Sequence, residues 1–255
     1  MKCRILHESR GRMRVHIERS RMTLNQAEQV RDIIRLSEST LQMQDGLIIT
    51  MADMVESRDS DTGAHIQKTA AYVKIILEEL RAKGWYAEKL TDRFLSDVVM
   101  SAPLHDVGKI SIPDAVLNKP GKLTDEEYEI IKSHTSKGYD VLKDISIMPE
   151  LAVGAQSHHE RPDGRGYPDH LKDGDIPRVA QIIAVADCFD AMYSNRPYRK
   201  RMNFEKAVSI IREVSGTQLT PDVVDAFLRL VDKGKFRAPD DDGGVSTESI
   251  DNTGK

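Results

Sequence analysis

Seven side chains that commonly bind metals recur at the ends of helical segments, where an apolar stripe would continue inward. A single histidine at a helix end is most often a structural residue with an ordinary hydrogen bond. Seven such side chains on five helices are different, because each buried polar group without a partner costs about 1–3 kcal/mol. We therefore expect one interior site built from His65, His105, Asp106, His134, His158, His159 and Asp187.

The donor atoms of this set are imidazole nitrogens and carboxylate oxygens. They suit divalent first-row ions such as Fe, Mn, Co or Zn, and of these we expect Fe or Mn. Closed structural zinc sites normally use cysteine, which the set lacks. Two ions about 3.5–4 Å apart, bridged by a carboxylate, are the usual arrangement for phosphoester hydrolysis. Asp106 is the candidate bridge, because its neighbour His105 can bind one of the same ions.

Positively charged side chains accompany the predicted ligands and fit a phosphate substrate. Lys109 follows Asp106 by three residues, so its ammonium can lie over the metal site, with Gly108 allowing the chain to turn. Arg196 and Arg199 follow the last ligand, and arginine binds phosphate through two parallel hydrogen bonds. The alternative for each cation is a solvated surface charge.

A tight loop follows the histidine pair in "HHERPDGRGYPDHL", residues 158–171. Gly164, Gly166 and Pro168 are turn-forming residues at close spacing. Such a loop would form one wall of a cleft and present Tyr167 to a substrate. The alternative is a plain connecting turn whose tyrosine packs on the core.

The elements that carry these residues are predicted to be helices. Hydrophobic residues make up 39% of the chain and aromatic residues only 5%, which is more typical of helical than of sheet-rich proteins. Apolar residues recur every three or four positions, as in "HIQKTAAYVKIILEELRAKG". Thr124 and Glu127 form a capping-box signature at one helix start. The predicted fold class is therefore all-α, a helical bundle with the metal site in its core.

The two ends of the chain differ from this bundle. Residues 1–22 contain two short strand-like pieces around Gly11, and helical spacing follows as far as Val55. Gly46 interrupts that spacing, so two helices or one long bent helix are both compatible with it. The C-terminal end is acidic and almost free of apolar residues, which predicts disorder. We expect an N-terminal stub and connector helix at 1–44, the main domain at 45–237 and a disordered tail at 238–255.

Composition excludes several classes of partner. The net charge of −4 offers no basic field for a nucleic acid polymer. No apolar run approaches the ~20 residues that a membrane helix needs. The two cysteines, Cys3 and Cys188, are far apart and suggest no disulfide framework, which fits a reducing cytoplasm. We expect a cytoplasmic protein, and a homodimer stays open.

The combined pattern resembles the metal-dependent HD phosphohydrolases. "HDVGK" together with "HHERPDGRGYP" resembles more specifically the HD-GYP subfamily, bacterial phosphodiesterases that open the signalling dinucleotide cyclic di-GMP. The resemblance covers roughly residues 45–235, and "ESRDSDTGAH" is similar to the segment that enters the family's domain. It implies an HD-type bundle and the seven metal ligands named above.

The resemblance also implies roles for residues around the ligands. Lys109 would meet the scissile phosphate, and Tyr167, Arg196 and Arg199 would face the bound dinucleotide. The GYP loop, Gly164, Gly166, Tyr167 and Pro168, would also contact partner signalling proteins. Family members with three metals carry Glu four residues before the first histidine, where this chain has the shorter Asp61. We therefore expect two ions rather than three, with Asp61 as an outer group.

The expected function is hydrolysis of cyclic di-GMP to pGpG, with further cleavage to GMP left open. Two alternatives remain at this point. One is the same chemistry on another nucleotide, against which the GYP loop argues. The other is a non-catalytic signalling module that binds a nucleotide or a partner through the GYP loop. Loss of a metal ligand would favour that module, and none is lost.

Overall fold

The computed structural model describes residues 2–58, 64–85, 90–145, 148–195 and 200–236, with the backbone alone for residues 2–24 and 64. Ten α-helices and three short 3-10 helices occupy this part of the chain, which contains no β-strand. The all-α prediction is confirmed. In chain order the α-helices are α1 Lys2–Glu56, α2 Ala64–Ala82, α3 Asp92–Ser101, α4 Asp114–Leu117, α5 Asp125–Lys132, α6 His134–Leu142, α7 Pro149–Ser157, α8 Arg178–Tyr193, α9 Phe204–Glu213 and α10 Pro221–Asp232.

The prediction of strand-like pieces in residues 1–22 is wrong, because α1 is continuous from Lys2 to Glu56. The alternation that suggested strands lasts only a few residues. Half of the residues in these pieces are Arg, Met, Leu or Glu, which favour helix. Gly46 does not break the helix, so the single-helix alternative holds.

The chain divides into two compact units between Leu47 and Ile48. In the first unit, large apolar side chains of α1 such as Ile33 and Leu36 are mostly exposed. The predicted domain limits at residues 44 and 237 stay predictions, and the predicted tail at 238–255 lies outside the described residues.

Helix α8 forms the centre of the second unit. Its sequence, "RVAQIIAVADCFDAMY", is apolar around most of its circumference, as expected of a buried helix. Ile182, Ile183 and Phe189 are almost completely inaccessible to solvent. Helices α2, α9 and α10 pack against it with the apolar sides of amphipathic sequences. The polar side chains Asp187 and Asp190 on this helix therefore need a special reason to be there.

A second apolar cluster holds the segments that carry the other candidate ligands. Leu104, Val107, Leu142 and Ala155 are buried there, beside Val55 from the end of α1. Each fully buried apolar side chain of this size contributes about 1.5–3 kcal/mol. The cluster thus fixes the turn after α3, helix α6 and helix α7 relative to one another.

Helices break where the candidate ligands lie. Helix α3 continues into a 3-10 turn, Ala102–Leu104, and a second one, Val107–Ser111, follows His105 and Asp106. The capping box at Thr124 is confirmed, but the helix that it starts ends at Lys132, and α6 begins anew at His134. Side chains at the ends of several helices can converge on one point more easily than side chains along the face of one unbroken helix.

None of the helices in the described residues is long and apolar enough to cross a membrane.

Candidate metal centre

The structure brings the seven predicted ligands together as two neighbouring groups. In the first, ligand atoms of Asp106, His134, His158 and His159 all lie within 4.8 Å of one another. In the second, the same holds for His65, His105 and Asp187. All seven residues are buried or half-buried.

The carboxylate of Asp106 lies between the two groups. Its Oδ1 is 3.1 Å from Nε2 of His134 and 3.5 Å from Nε2 of His158. Its Oδ2 is 3.5 Å from Nε2 of His105 and 2.9 Å from the ammonium of Lys109. One carboxylate thus presents one oxygen to each group.

The carboxylate of Asp187 faces the second group from the buried helix α8. Its Oδ1 is 3.6 Å from Nε2 of His65 and 3.8 Å from Nε2 of His105. This contact explains one of the two carboxylates on a mostly apolar helix.

Hydrogen bonds at the far side of each ring fix which nitrogen faces the site. Nδ1 of His105, His134 and His158 each lies near a backbone carbonyl three residues earlier. A carbonyl only accepts, so Nδ1 carries a proton, and in the neutral form of the ring the lone pair of Nε2 points inward. The acceptors are Ala102 at 2.6 Å, Ile131 at 2.7 Å and Ala155 at 3.0 Å.

Two of the atoms that face the site lack a hydrogen-bond partner in the described part of the chain. Nε2 of His105 and Oδ1 of Asp106 are buried and have no hydrogen-bond partner among the described residues. Nε2 of His134 and Nε2 of His158 lie only 3.4 Å apart. Lone pairs at these distances repel one another unless a cation lies between them. The arrangement fits divalent cations, which neutral imidazole and carboxylate bind well.

Charges around the site favour the forms that bind metal. Burial alone would raise the pKa of Asp106, but the positive charge of Lys109 above all holds it well below its usual range. Burial lowers the pKa of His159 well below its ordinary value, and the neighbouring His158 lowers it further. Burial likewise lowers the pKa of His158. These groups are thus a carboxylate and two neutral imidazoles at neutral pH.

Asp190 is part of the site and was missing from the predicted set. Its Oδ2 accepts from Nδ1 of His65 at 2.5 Å, and Ser194 donates to its Oδ1 at 2.8 Å. Burial would lower the pKa of His65, but the hydrogen bond to Asp190 and the charges of Asp187 and Asp190 raise it to about 9. The signal in the sequence was the spacing of three residues from Asp187, which places both on one helix face.

Glu56, at the end of α1, is a second residue that the sequence did not single out. It is 3% exposed, and its Oε1 has no hydrogen-bond partner within the described ranges. Burial raises its pKa, which the nearby charges of Lys109, His65 and His105 oppose. The sequence signal for Glu56 is its spacing, because it lies four residues, about one helical turn, after Ala52, whose side chain is buried.

Tyr167 lies against the first group, as the loop prediction requires. Its ring centroid is 4.8 Å from that of His159 and 6.4 Å from that of His134, and the ammonium of Lys132 lies 5.8 Å from it. Burial raises the pKa of Tyr167 above its usual range, so the phenol is neutral.

The buried carboxylate of Glu160 holds the GYP loop, together with Gly166. Glu160 accepts from the backbone amides of Asp169 at 2.6 Å and Leu171 at 2.9 Å. A Cβ on Gly166 would lie 2.4 Å from the amide nitrogen of Arg161, so only glycine fits there. Gly164 has a φ of +75°, a left-handed conformation that favours glycine.

The expected role of Gly108 needs correction. Its φ is not among the positive values that mark turn-forming glycines. Its backbone instead packs directly on α6, and a Cβ there would lie 1.8 Å from the carbonyl oxygen of His134. Gly108 is therefore required by close approach of two backbones and not by a turn.

Three predicted site residues, Asp61, Arg196 and Arg199, lie outside the described residues. All the other predicted site residues lie within the described residues.

Comparison with known proteins identifies the family of the chain. A profile of the HD domain family matches residues 50–223. A cyclic di-GMP phosphodiesterase of Vibrio cholerae is 43% identical over 197 residues, which cover 74% of this chain and 40% of that relative. A cyclic di-GMP phosphodiesterase of Thermotoga maritima is 44% identical over 178 residues, which cover 69% of this chain and 46% of that relative. A 3'3'-cGAMP-specific phosphodiesterase of V. cholerae is 36% identical, with coverage of 71% and 34%.

Two solved structures share the fold. A cyclic GMP-AMP specific phosphodiesterase of V. cholerae superposes with a TM-score of 0.56 at 18% identity, covering 76% of this chain and 51% of that one. An HD-GYP-type protein of Bdellovibrio bacteriovorus gives a TM-score of 0.50 at 18% identity, covering 68% and 54%. The chain spans about half the length of the curated relatives that it matches. With a family match over more than half of its residues, and with the GYP motif after the paired histidines, the chain belongs to the HD domain family, in its HD-GYP branch.

Proposed function

We propose that the chain is a metal-dependent phosphodiesterase that hydrolyses cyclic di-GMP to pGpG, with further cleavage to GMP as an open second step. One observation carries the proposal: seven imidazole and carboxylate side chains converge as two groups that share Asp106 between them. A non-catalytic binding module would have no need to retain two such groups.

We further propose that the two groups hold two divalent ions, Fe or Mn. Asp106 would bridge them, with His134, His158 and His159 on one ion and with His65, His105 and Asp187 on the other. When bound, the ions would supply Lewis acidity, lower the pKa of water and offset charge on the phosphoryl oxygens. Asp61, the shorter residue at the position of a third-ion ligand, supports two ions over three and would act as an outer group.

The chain's own side chains would bind and orient the phosphodiester. Lys109 has its ammonium 2.9 Å from Asp106, so it can meet a phosphoryl oxygen beside the ions and stabilise its charge. Tyr167 presents a neutral aromatic face at the first group, on which a guanine base could stack. Arg196 and Arg199 would contact the dinucleotide phosphates in the bidentate manner of guanidinium groups.

The proposed substrate rests on the relatives. Those named cyclic di-GMP phosphodiesterases reach 43% and 44% identity, and those named 3'3'-cGAMP-specific reach 36%, 34% and 32%. Cyclic di-GMP is therefore the first candidate substrate. The second is 3'3'-cGAMP, because the two dinucleotides contain the same kind of phosphodiester bond.

The test uses the full chain, purified without oxygen and loaded with Fe(II) or Mn(II). We expect cyclic di-GMP to be converted to pGpG faster than 3'3'-cGAMP is cleaved, with turnover lost in the double variant His105→Ala/Asp106→Ala. Asp140→Ala, an exposed carboxylate paired with Lys143, is the matched control and should keep full turnover. Unchanged turnover in the double variant would refute the metal mechanism, and a folded, metal-loaded wild type without turnover would refute the proposed activity.

The expected signalling partner at the GYP loop, the expected homodimer and the expected cytoplasmic location stay predictions.

A further inference from the structure

Arg58, two residues after the end of α1, reaches across to the segment that carries Lys109. Its guanidinium donates to the carbonyl of Lys109 at 3.1 Å, to that of Ile110 at 2.6 Å and to that of Ile112 at 2.9 Å. It also donates to the carboxylate of Asp114 at 2.8 Å. One side chain thus accounts for three carbonyls within four residues.

These carbonyls belong to the end of the 3-10 helix Val107–Ser111 and to Ile112, the residue that caps it. The carbonyl of Lys109 also accepts from the amide of Ile112 at 2.9 Å. Those of Ile110 and Ile112 lie at the end, where helix carbonyls have no partner within the helix and need a donor from elsewhere. Guanidinium suits this role because its donors form a rigid planar fork. Arg58 therefore closes the end of a helix that lies more than fifty residues later in the sequence.

The contacts differ in what they contribute. Asp114 is 73% exposed, and exposed ion pairs contribute little to stability. The bonds to the carbonyls of Lys109 and Ile112 are partly buried, and hydrogen bonds to charged groups are stronger than those between neutral groups. The backbone of Arg58 is held in turn, because Asn118 donates to its carbonyl at 2.9 Å.

Lys109 is the residue on which this arrangement acts. Its side chain extends to Asp106, where the ammonium is 2.9 Å from Oδ2. Its own carbonyl is one of the three that Arg58 binds. A shift of this carbonyl would move the root of the side chain that is proposed to meet the phosphate.

We propose that Arg58 is a positioning residue for the phosphodiesterase reaction, holding the 3-10 helix so that the ammonium of Lys109 faces the scissile phosphate. The inference rests on the function proposed above. Arg58 acts through the backbone of Lys109, and none of the four hydrogen bonds of its guanidinium given above goes to a candidate ligand. The same contacts join the end of α1 to the candidate site.

The test replaces Arg58 with Gln and compares Asp114→Asn, which removes the exposed ion pair and leaves the carbonyl bonds. A displacement of about 1 Å at a reacting group costs on the order of 100-fold, so kcat of Arg58→Gln should fall about 10–100-fold. KM and metal content should stay near wild type, and Arg58→Lys should recover part of the loss. Asp114→Asn should stay within about twofold of wild type, since exposed ion pairs contribute little.

A merely structural role is distinguished by combining Arg58→Gln with Lys109→Ala. If Arg58 acts through Lys109, the double variant is no slower than Lys109→Ala alone. Multiplied losses would overturn the inference.

Amide hydrogen exchange over Val107–Ile112 gives a readout that does not need turnover. Exchange should be faster in Arg58→Gln and unchanged in Asp114→Asn. Unchanged exchange in Arg58→Gln overturns the positioning role whether or not the wild type is active. A wild type without turnover refutes the proposed function instead. Faster exchange in Arg58→Gln would still show that Arg58 stabilises the 3-10 helix Val107–Ser111.

Discussion

The substitution Gly108→Ala tests how the site is assembled. A Cβ at this position would lie 1.8 Å from the carbonyl oxygen of His134 and 2.5 Å from the amide nitrogen of Gly138. Both are backbone atoms of α6, so no side chain can rotate away to relieve the clash. The 3-10 helix Val107–Ser111 and α6 must therefore separate.

The magnitude follows from the distance. Real Cβ contacts below 3.0 Å are essentially never seen, so the gap must widen from 1.8 Å to at least 3.0 Å, by about 1.2 Å. Overpacking of this kind costs about 1–3 kcal/mol of stability. A displacement of about 1 Å between reacting groups costs on the order of 100-fold in rate. Because Asp106 lies on one side of the gap and His134 on the other, the loss should appear in metal binding as well.

The assay combines urea unfolding, metal content and turnover of cyclic di-GMP. Gly46→Ala is the control, since a Cβ on Gly46 meets nothing within 4 Å and alanine in a helix is favoured by about 0.5–1 kcal/mol. We expect lower stability, weaker metal binding and lower turnover for Gly108→Ala, but not for Gly46→Ala. Wild-type values for Gly108→Ala in all three measurements would refute the argument from close backbone contact.

Three further predictions concern buried charges. Asp190→Asn removes the charged acceptor of His65 and should weaken metal binding about 10–100-fold, as is typical when the hydrogen-bond partner of a metal ligand is changed. Calorimetric titration measures this affinity. An unchanged affinity would contradict the role of Asp190 in orienting His65. Glu56→Gln should stabilise the chelated protein at pH 8 by about 1 kcal/mol, because an unpaired buried carboxylate is costly. The same change should weaken metal binding, because a negative charge is lost. A lower midpoint of urea unfolding for the variant would contradict the predicted stabilisation. In the chelated protein, the pKa of His65 is raised to about 9. The resulting contribution to the free energy of unfolding is complete below pH ~6.5 and is lost as the pH rises through 9. At 1.36 kcal/mol per pKa unit, the loss is about 3 kcal/mol. Urea unfolding between pH 6 and 9.5 should show this loss in the wild type and a flatter profile in His65→Gln, and equal slopes would refute it.

The helices and the ligands could be predicted because their signals are local. Apolar spacing and the capping box at Thr124 determine helices through interactions within a turn or two. The ligands could be grouped because seven His and Asp at the ends of apolar stripes are too many to be independent structural residues, given the cost of each buried polar group without a partner. The sequence predicted that His134 belongs to the site, but it did not predict that α5 ends at Lys132 and that α6 begins at His134.

The missed features depend on contacts between distant segments. Arg58 and the 3-10 helix near Lys109 are about fifty residues apart in sequence, and nothing local to either one predicts their contact. Asp190 and Glu56 look like ordinary helix residues until the partners that surround them are known. The strand prediction for residues 1–22 was wrong for a related reason, because strands need partner strands and a short alternating run cannot supply them.

The most direct test of the central claim is anomalous diffraction at the Fe or Mn edge from crystals of the loaded protein. The account predicts two peaks about 3.5–4 Å apart, with the carboxylate of Asp106 between them and His134 and His105 on opposite ions. A single peak, or a pair that Asp106 does not bridge, would contradict it.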